Sequence, residues 1–148
     1  IPVIVKFSND TEVKQVPALL DLLFELGYDG VNFGNTSTAY AQRRAAIDTR
    51  EHSLYDYFTS HFSGGVSGKP LKESSLELSS RAVEYVKAGP PPKEFHVIRT
   101  GGIETAKDIE ESEKAGASLN QWFTGYWEAF ARYGHDLYDH LYNELLRA

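Results

Sequence analysis

Short apolar runs alternate along the chain with segments of helical period. Val3-Ile4-Val5-Lys6-Phe7 is a nearly continuous β-branched run and predicts a strand buried on both faces. From Thr11 the apolar positions Val13, Val16, Leu19, Leu20 and Leu23 follow the helical period, and Gly27 predicts a left-handed stop. Pro17 within that run either starts the main helix or kinks it. Residues 30–36 read as a second strand. Residues 74–87 read as a helix, with Ser74 and Glu77 at capping-box spacing, stopped by Gly89-Pro90-Pro91-Pro92. Residues 95–100 form the third strand candidate and end at Gly101-Gly102. Thr105 and Asp108 predict a capped short helix that Gly116 closes. Residues 118–123 are the fourth strand candidate. From Tyr126 the pattern is helical to the end, with Leu137, Leu141 and Leu145 on one face.

The order is β-α four times, which predicts an α/β fold with a parallel sheet and right-handed crossovers. The 148 residues suit one domain. A (βα)8 TIM barrel needs about 250 residues, so four units amount to half of one. The rival is a small doubly wound sheet, which requires guarded outer strands; none carries charged or proline-rich edge devices. Residues 37–63, rich in Tyr, Phe and Arg, are predicted to be a long insertion. They form either a lid loop or a surface segment packed on its own aromatics. The chain starts in mid-strand and contains no methionine, so it reads as the interior of something longer.

Composition narrows the classes. Apolar residues make up 41% of the chain, enough for a packed core. The net charge of −6 and the absence of a basic run argue against nucleic acid as a partner. With no cysteine there is no disulfide, zinc thiolate or thiol nucleophile. His52, His61, His96, His135 and His140 lack metal-ligand spacing, so no metal is expected. No apolar stretch approaches the roughly 20 residues that span a bilayer.

The informative residues stand at strand ends, the face where barrels bind ligands. Gly101-Gly102 and Thr124-Gly125, on adjacent strands, would let backbone N–H groups grip one phosphate. The plain alternative is that these glycines make tight turns.

Several motifs occur together: Pro2-Val3-Ile4-Val5-Lys6, Gly27-Tyr28-Asp29-Gly30-Val31, Asn35-Thr36 and Gly64-Gly65-Val66-Ser67-Gly68-Lys69-Pro70-Leu71. They are followed by Thr100-Gly101-Gly102-Ile103, Ala115-Gly116-Ala117-Ser118-Leu119 and Gln121-Trp122-Phe123-Thr124-Gly125. In this order they resemble the second half of dihydroorotate dehydrogenases over nearly the whole chain. The Ser-Gly-Lys-Pro-Leu variant resembles class 2, the membrane-associated, quinone-reducing branch.

The resemblance implies the C-terminal half of an FMN-binding (βα)8 barrel, its last four βα units. It implies oxidation of dihydroorotate to orotate in pyrimidine biosynthesis, with a quinone accepting the electrons. It places Lys6, Ser67, Gly68, Gly101, Gly102, Phe123 and Thr124 against FMN, and Asn35 and Thr36 against the pyrimidine substrate. Without the resemblance, Lys6 is a solvated strand end and Asn35 an Asx turn. The family's base, serine in class 2 and cysteine in class 1, comes from an earlier strand, so no catalytic residue is expected within this chain. The partners implied are the N-terminal half of the barrel or a second copy, and the location the inner membrane, bacterial or mitochondrial, if class 2, otherwise the cytoplasm. Two alternatives stand: an inactive half-barrel that folds or self-associates, and another FMN- or phosphate-binding barrel oxidoreductase.

Overall fold

In the computed structural model, which describes residues 1–147, four parallel strands lie in the order of the chain. They are β1 (Ile4–Ser8), β2 (Gly30–Asn35), β3 (His96–Thr100) and β4 (Leu119–Gln121). Register runs from Lys6 to Asn32, from Asn32 to Ile98 and from Ile98 to Leu119. Sequential order without reversal is barrel topology; a doubly wound sheet reverses at a switch point. The helices are α1 (Val16–Glu25), α2 (Tyr40–Arg44), α3 (His52–His61), α4 (Lys72–Ala88), α5 (Ala106–Ala115), α6 (Thr124–Tyr133) and α7 (Leu137–Leu145).

One face of the sheet carries the core. Val31, Phe33 and Val97 point from the strands into Val16, Leu20 and Leu78 of α1 and α4. Burying each of these large side chains is worth about 1.5–3 kcal/mol. On the opposite face Asn32 and Ile98 are buried at the centre but β1 is uncovered, and this corrects the reading of the first strand. Only Val5 and Phe7 pack on the core, while Ile4 and Lys6 stand exposed on the uncovered side. The β-branched run reports strand propensity, not how many layers cover it.

Local signals fix most boundaries. Pro17 sits in the first turn of α1 and starts the helix instead of kinking it. The helix ends in a Schellman pair, with Gly27 N–H donating to Phe24 C=O and Tyr28 N–H to Leu23 C=O. Thr105 and Asp108 form the predicted reciprocal box at α5, which Gly116 closes.

Three boundaries differ from expectation. α4 begins at Lys72, running on from a 3-10 turn at Lys69–Leu71, so Ser74 lies inside the helix and its hydroxyl donates to Leu71 C=O. Pro70 in that turn presets the helical φ and moves the start upstream of the serine. The C-terminal helix begins at Thr124 and breaks at Gly134, giving α6 and α7 in place of one. The segment predicted as a loop over 37–63 contains α2 and α3. Its ends are tied by two backbone bonds between Ser37 and Val66, so a closed excursion leaves the barrel layer and returns. Arg43 anchors it: the buried guanidinium donates to Ser37 Oγ, Asn9 C=O and Asp10. Burial pushes the Asp10 carboxyl up, but bonds from Ser37, Thr38 and Arg43 outweigh it and hold it below the usual range.

Candidate functional site

A cleft of about 290 Å³ opens at the C-terminal ends of the strands. It brings together every residue singled out from the sequence: Lys6, Asn35, Thr36, Ser67, Gly68, Gly101, Gly102, Phe123 and Thr124. They come from all four strand ends and from the segment before α4. Convergence of this kind follows from topology, since parallel strands deliver all their C-terminal ends to one rim.

Asn35 reaches the cleft through a backbone irregularity. β1 and β2 run in step to Phe7 and Phe33, then Ser8 pairs with Asn35, leaving Gly34 as an extra residue. Simple alternation would put Asn35 on the side of buried Phe33. The bulge turns it out to the exposed rim, a recurrent device beside binding sites. Its carbonyl accepts from the Asn9 backbone and side chain at 3.2 and 2.9 Å. Its amide side chain has no protein partner among the described residues, and its donor and acceptor stay available. Thr36 packs its side chain directly on Gly65, where a Cβ would collide with it. Lys6 is exposed on edge strand β1 and makes no ion pair among the described residues.

The far wall is built from backbone. The N–H groups of Gly101 and Gly102 find no acceptor among the described residues. Neither do those of Thr124 and Gly125 in the first turn of α6, where no side chain caps the helix. Free N–H groups and the positive end of a helix facing one cleft make an anion site. Thr124 Oγ1 donates to Ser67 Oγ at 2.9 Å, joining this wall to the loop before α4. Gly68 holds φ 75° and ψ −151°, a conformation essentially confined to glycine, and a Cβ there would stand 3.0 Å from Thr124 Cγ2.

Gly102 is glycine for a different reason from the one the motif suggests. With φ 71°, its Cβ position lies 2.5 Å from Lys72 N and against Lys72 Cα. The missing side chain makes room for the first turn of α4, and the cleft receives only the N–H.

Residues not singled out from the sequence complete the site. On the face away from α1 and α4, Asn32 Nδ2 donates to Gln121 Oε1 at 3.0 Å and Thr100 Oγ1 donates to Asn32 Oδ1 at 2.8 Å. This polar bridge spans β2, β3 and β4 below the cleft. Its one visible signal is an asparagine inside an apolar strand. Behind the glycine turn, Arg99 is wholly buried between α4 and α5. Lys72 pairs with Asp108 beside it. Burial raises the Asp108 carboxyl, yet Lys72 and the donors of Glu104 and Thr105 bring it below the usual range. Glu104, next in line, is pushed up by burial and by the nearby carboxylates Glu128 and Asp108. Among the described residues no group of histidines and carboxylates could hold a metal.

Comparison with known proteins agrees with this geometry. The family model described as dihydroorotate dehydrogenase matches residues 1–146. A dihydroorotate dehydrogenase (quinone) of Kocuria rhizophila is 35% identical over 126 residues, covering 85% of this chain and 32% of that protein. One from Rhodococcus opacus is 36% identical over 126 residues, again 85% of this chain and 32% of that protein. The crystal structure of DHODH from Eimeria tenella in complex with ferulenol superposes with TM-score 0.72 at 25% identity, covering 97% of this chain and 33% of that one. The chain thus spans about a third of the length of the curated relatives it matches.

Proposed function

The chain belongs to the dihydroorotate dehydrogenase family, and from that premise we propose that it supplies the FMN-phosphate wall and part of the substrate rim of such an enzyme. The observation that carries the reading is the cleft itself. Nine residues matched to the family's motifs line one space, and its far wall presents free backbone N–H groups.

In this reading Gly101, Gly102 and the first turn of α6 hold the phosphate, with Ser67, Gly68 and Thr124 closing over it. Phe123 borders the same wall. Lys6 would supply a cation to the negative charge that a flavin ring gathers on reduction. Asn35 offers both donor and acceptor to the pyrimidine, with Thr36 beside it. Bound FMN would supply the redox chemistry, the two-electron oxidation of dihydroorotate with a quinone as acceptor.

The described lining of the cleft contains no carboxylate, imidazole or thiol. The resemblance to the family assigns the proton acceptor to an earlier strand, outside this chain, and the chain alone is expected to be inactive. Names of relatives such as the Kocuria rhizophila protein favour a quinone acceptor. With that acceptor goes a peripheral place on the inner membrane, although no helix described here is long and apolar enough to cross a bilayer.

The test is flavin content and bleaching. The full-length protein carrying this chain should purify with the absorbance of one FMN. Dihydroorotate should bleach it and a quinone restore it. A flavin-free protein that also fails to take up added FMN would overturn the reading.

A further inference from the structure

We propose that Ser75 and Arg99 are positioning residues that aim the Gly102 N–H at the phosphate; this rests on the flavin reading above. Ser75 Oγ donates to the carbonyl of Gly101 at 2.7 Å. That carbonyl and the Gly102 N–H belong to one peptide unit. No cis peptide is present, so the two groups point in opposite directions. Fixing the carbonyl toward α4 therefore fixes the N–H away from α4. That N–H has no acceptor among the described residues, and Gly102 lines the cleft.

The hydroxyl alone would not hold this orientation. It carries a single proton and has a second acceptor in reach, Lys72 C=O at 3.1 Å, the usual partner of a serine within a helix. Arg99 removes the competition. Its Nη2 donates to Lys72 C=O at 2.9 Å, and its Nε donates to Ser75 Oγ at 3.0 Å. With that carbonyl served and an oxygen lone pair engaged, the Ser75 proton is left for Gly101. The guanidinium is itself fixed from the other side, where Nη1 donates to Asp108 C=O at 3.1 Å and Ser112 Oγ at 2.8 Å. Arg99 and Ser75 are both fully buried, so water does not substitute for either. A rigid fork with five donors can serve these groups at once; a lysine cannot.

The experiment compares FMN with riboflavin, which lacks the phosphate, by quenching of flavin fluorescence in the full-length protein. Wild type, Ser75→Ala and Ser75→Thr are measured, with thermal unfolding of each flavin-free protein to verify folding. The wild-type comparison tests the reading of the cleft: FMN must bind more tightly than riboflavin. The variants test the relay. Ser75→Ala should weaken FMN about tenfold and leave riboflavin unchanged, and Ser75→Thr, which keeps the hydroxyl, should recover most of the loss. A Ser75→Ala protein that holds FMN as wild type does, or loses both flavins equally, overturns the relay while leaving the cleft assignment standing. Equal binding of the two flavins by wild type overturns the assignment and the relay together.

Discussion

Gly102→Ala should damage the fold before it damages the ligand site. The added Cβ would lie 2.5 Å from Lys72 N and in collision with Lys72 Cα, both backbone atoms of the first turn of α4. No rotamer change relieves such a contact, so the helix start has to move. The backbone at φ 71° adds its own penalty: an L-residue in that region costs about 1–2 kcal/mol. Crowding of a packed site adds about 1–3 kcal/mol. The sum, about 2–5 kcal/mol, should appear as a fall of several degrees in the Tm of the full-length protein. The assay is calorimetry of flavin-free protein, where a role in phosphate contact contributes nothing. Gly101→Ala is the comparison: its φ of 114° carries a backbone penalty of the same kind, but its Cβ would stand 3.1 Å from Asn9 Nδ2 and 3.2 Å from Leu71 Cβ, without the collision with backbone found at Gly102. Gly102→Ala should therefore be the more destabilising of the two. If flavin-free Gly102→Ala melts within about 1 °C of wild type and only flavin affinity falls, the packing explanation is wrong and the position is reserved for the ligand.

In the full-length protein, Asn35→Ala should slow dihydroorotate-dependent flavin reduction about tenfold or more with FMN content unchanged, because a bound polar ring would lose its donor and acceptor; wild-type reduction kinetics would make Asn35 a turn residue only. Asp10 and Asp108 both titrate below the ordinary carboxylate range when folded. Their stabilisation is therefore complete above the unfolded value of about 3.9 and is lost as pH falls through the lower folded values. Asp108→Asn should accordingly lower Tm at pH 7 and have a shrinking effect below pH 4, and a pH-independent difference would remove the Lys72 pair as its cause. Glu104 runs the other way: its raised carboxyl costs stability as pH climbs, so Glu104→Gln should raise Tm at pH 7 and not at pH 4. The 148-residue chain by itself leaves β1 and β4 as open edges, with Ile4, Leu119 and Phe123 exposed; sedimentation should find dimers or larger species, and a clean monomer at micromolar concentration would count against edge pairing.

Spacing along the chain determined what depends on near neighbours. The helical period and the short apolar runs between helices set the order of elements, Gly27 and Gly116 stop their helices, and the Thr105–Asp108 box forms as its spacing requires. Parallel order then carried Lys6, Gly101 and Thr124 to one rim without further information. Tertiary structure decided the rest, because the interactions responsible join residues far apart in the chain. Arg43 reaches back 34 residues to Asn9 and turns an apparent loop into an anchored helical excursion. The pairing of β1 with β2 creates the bulge at Gly34 that turns Asn35 outward. Ser75 meets Gly101 across 26 residues, and Lys72 fills the space that a side chain at position 102 would need. A glycine pair in a sequence states that a side chain is excluded; only the packed structure shows whether a ligand or a helix excludes it.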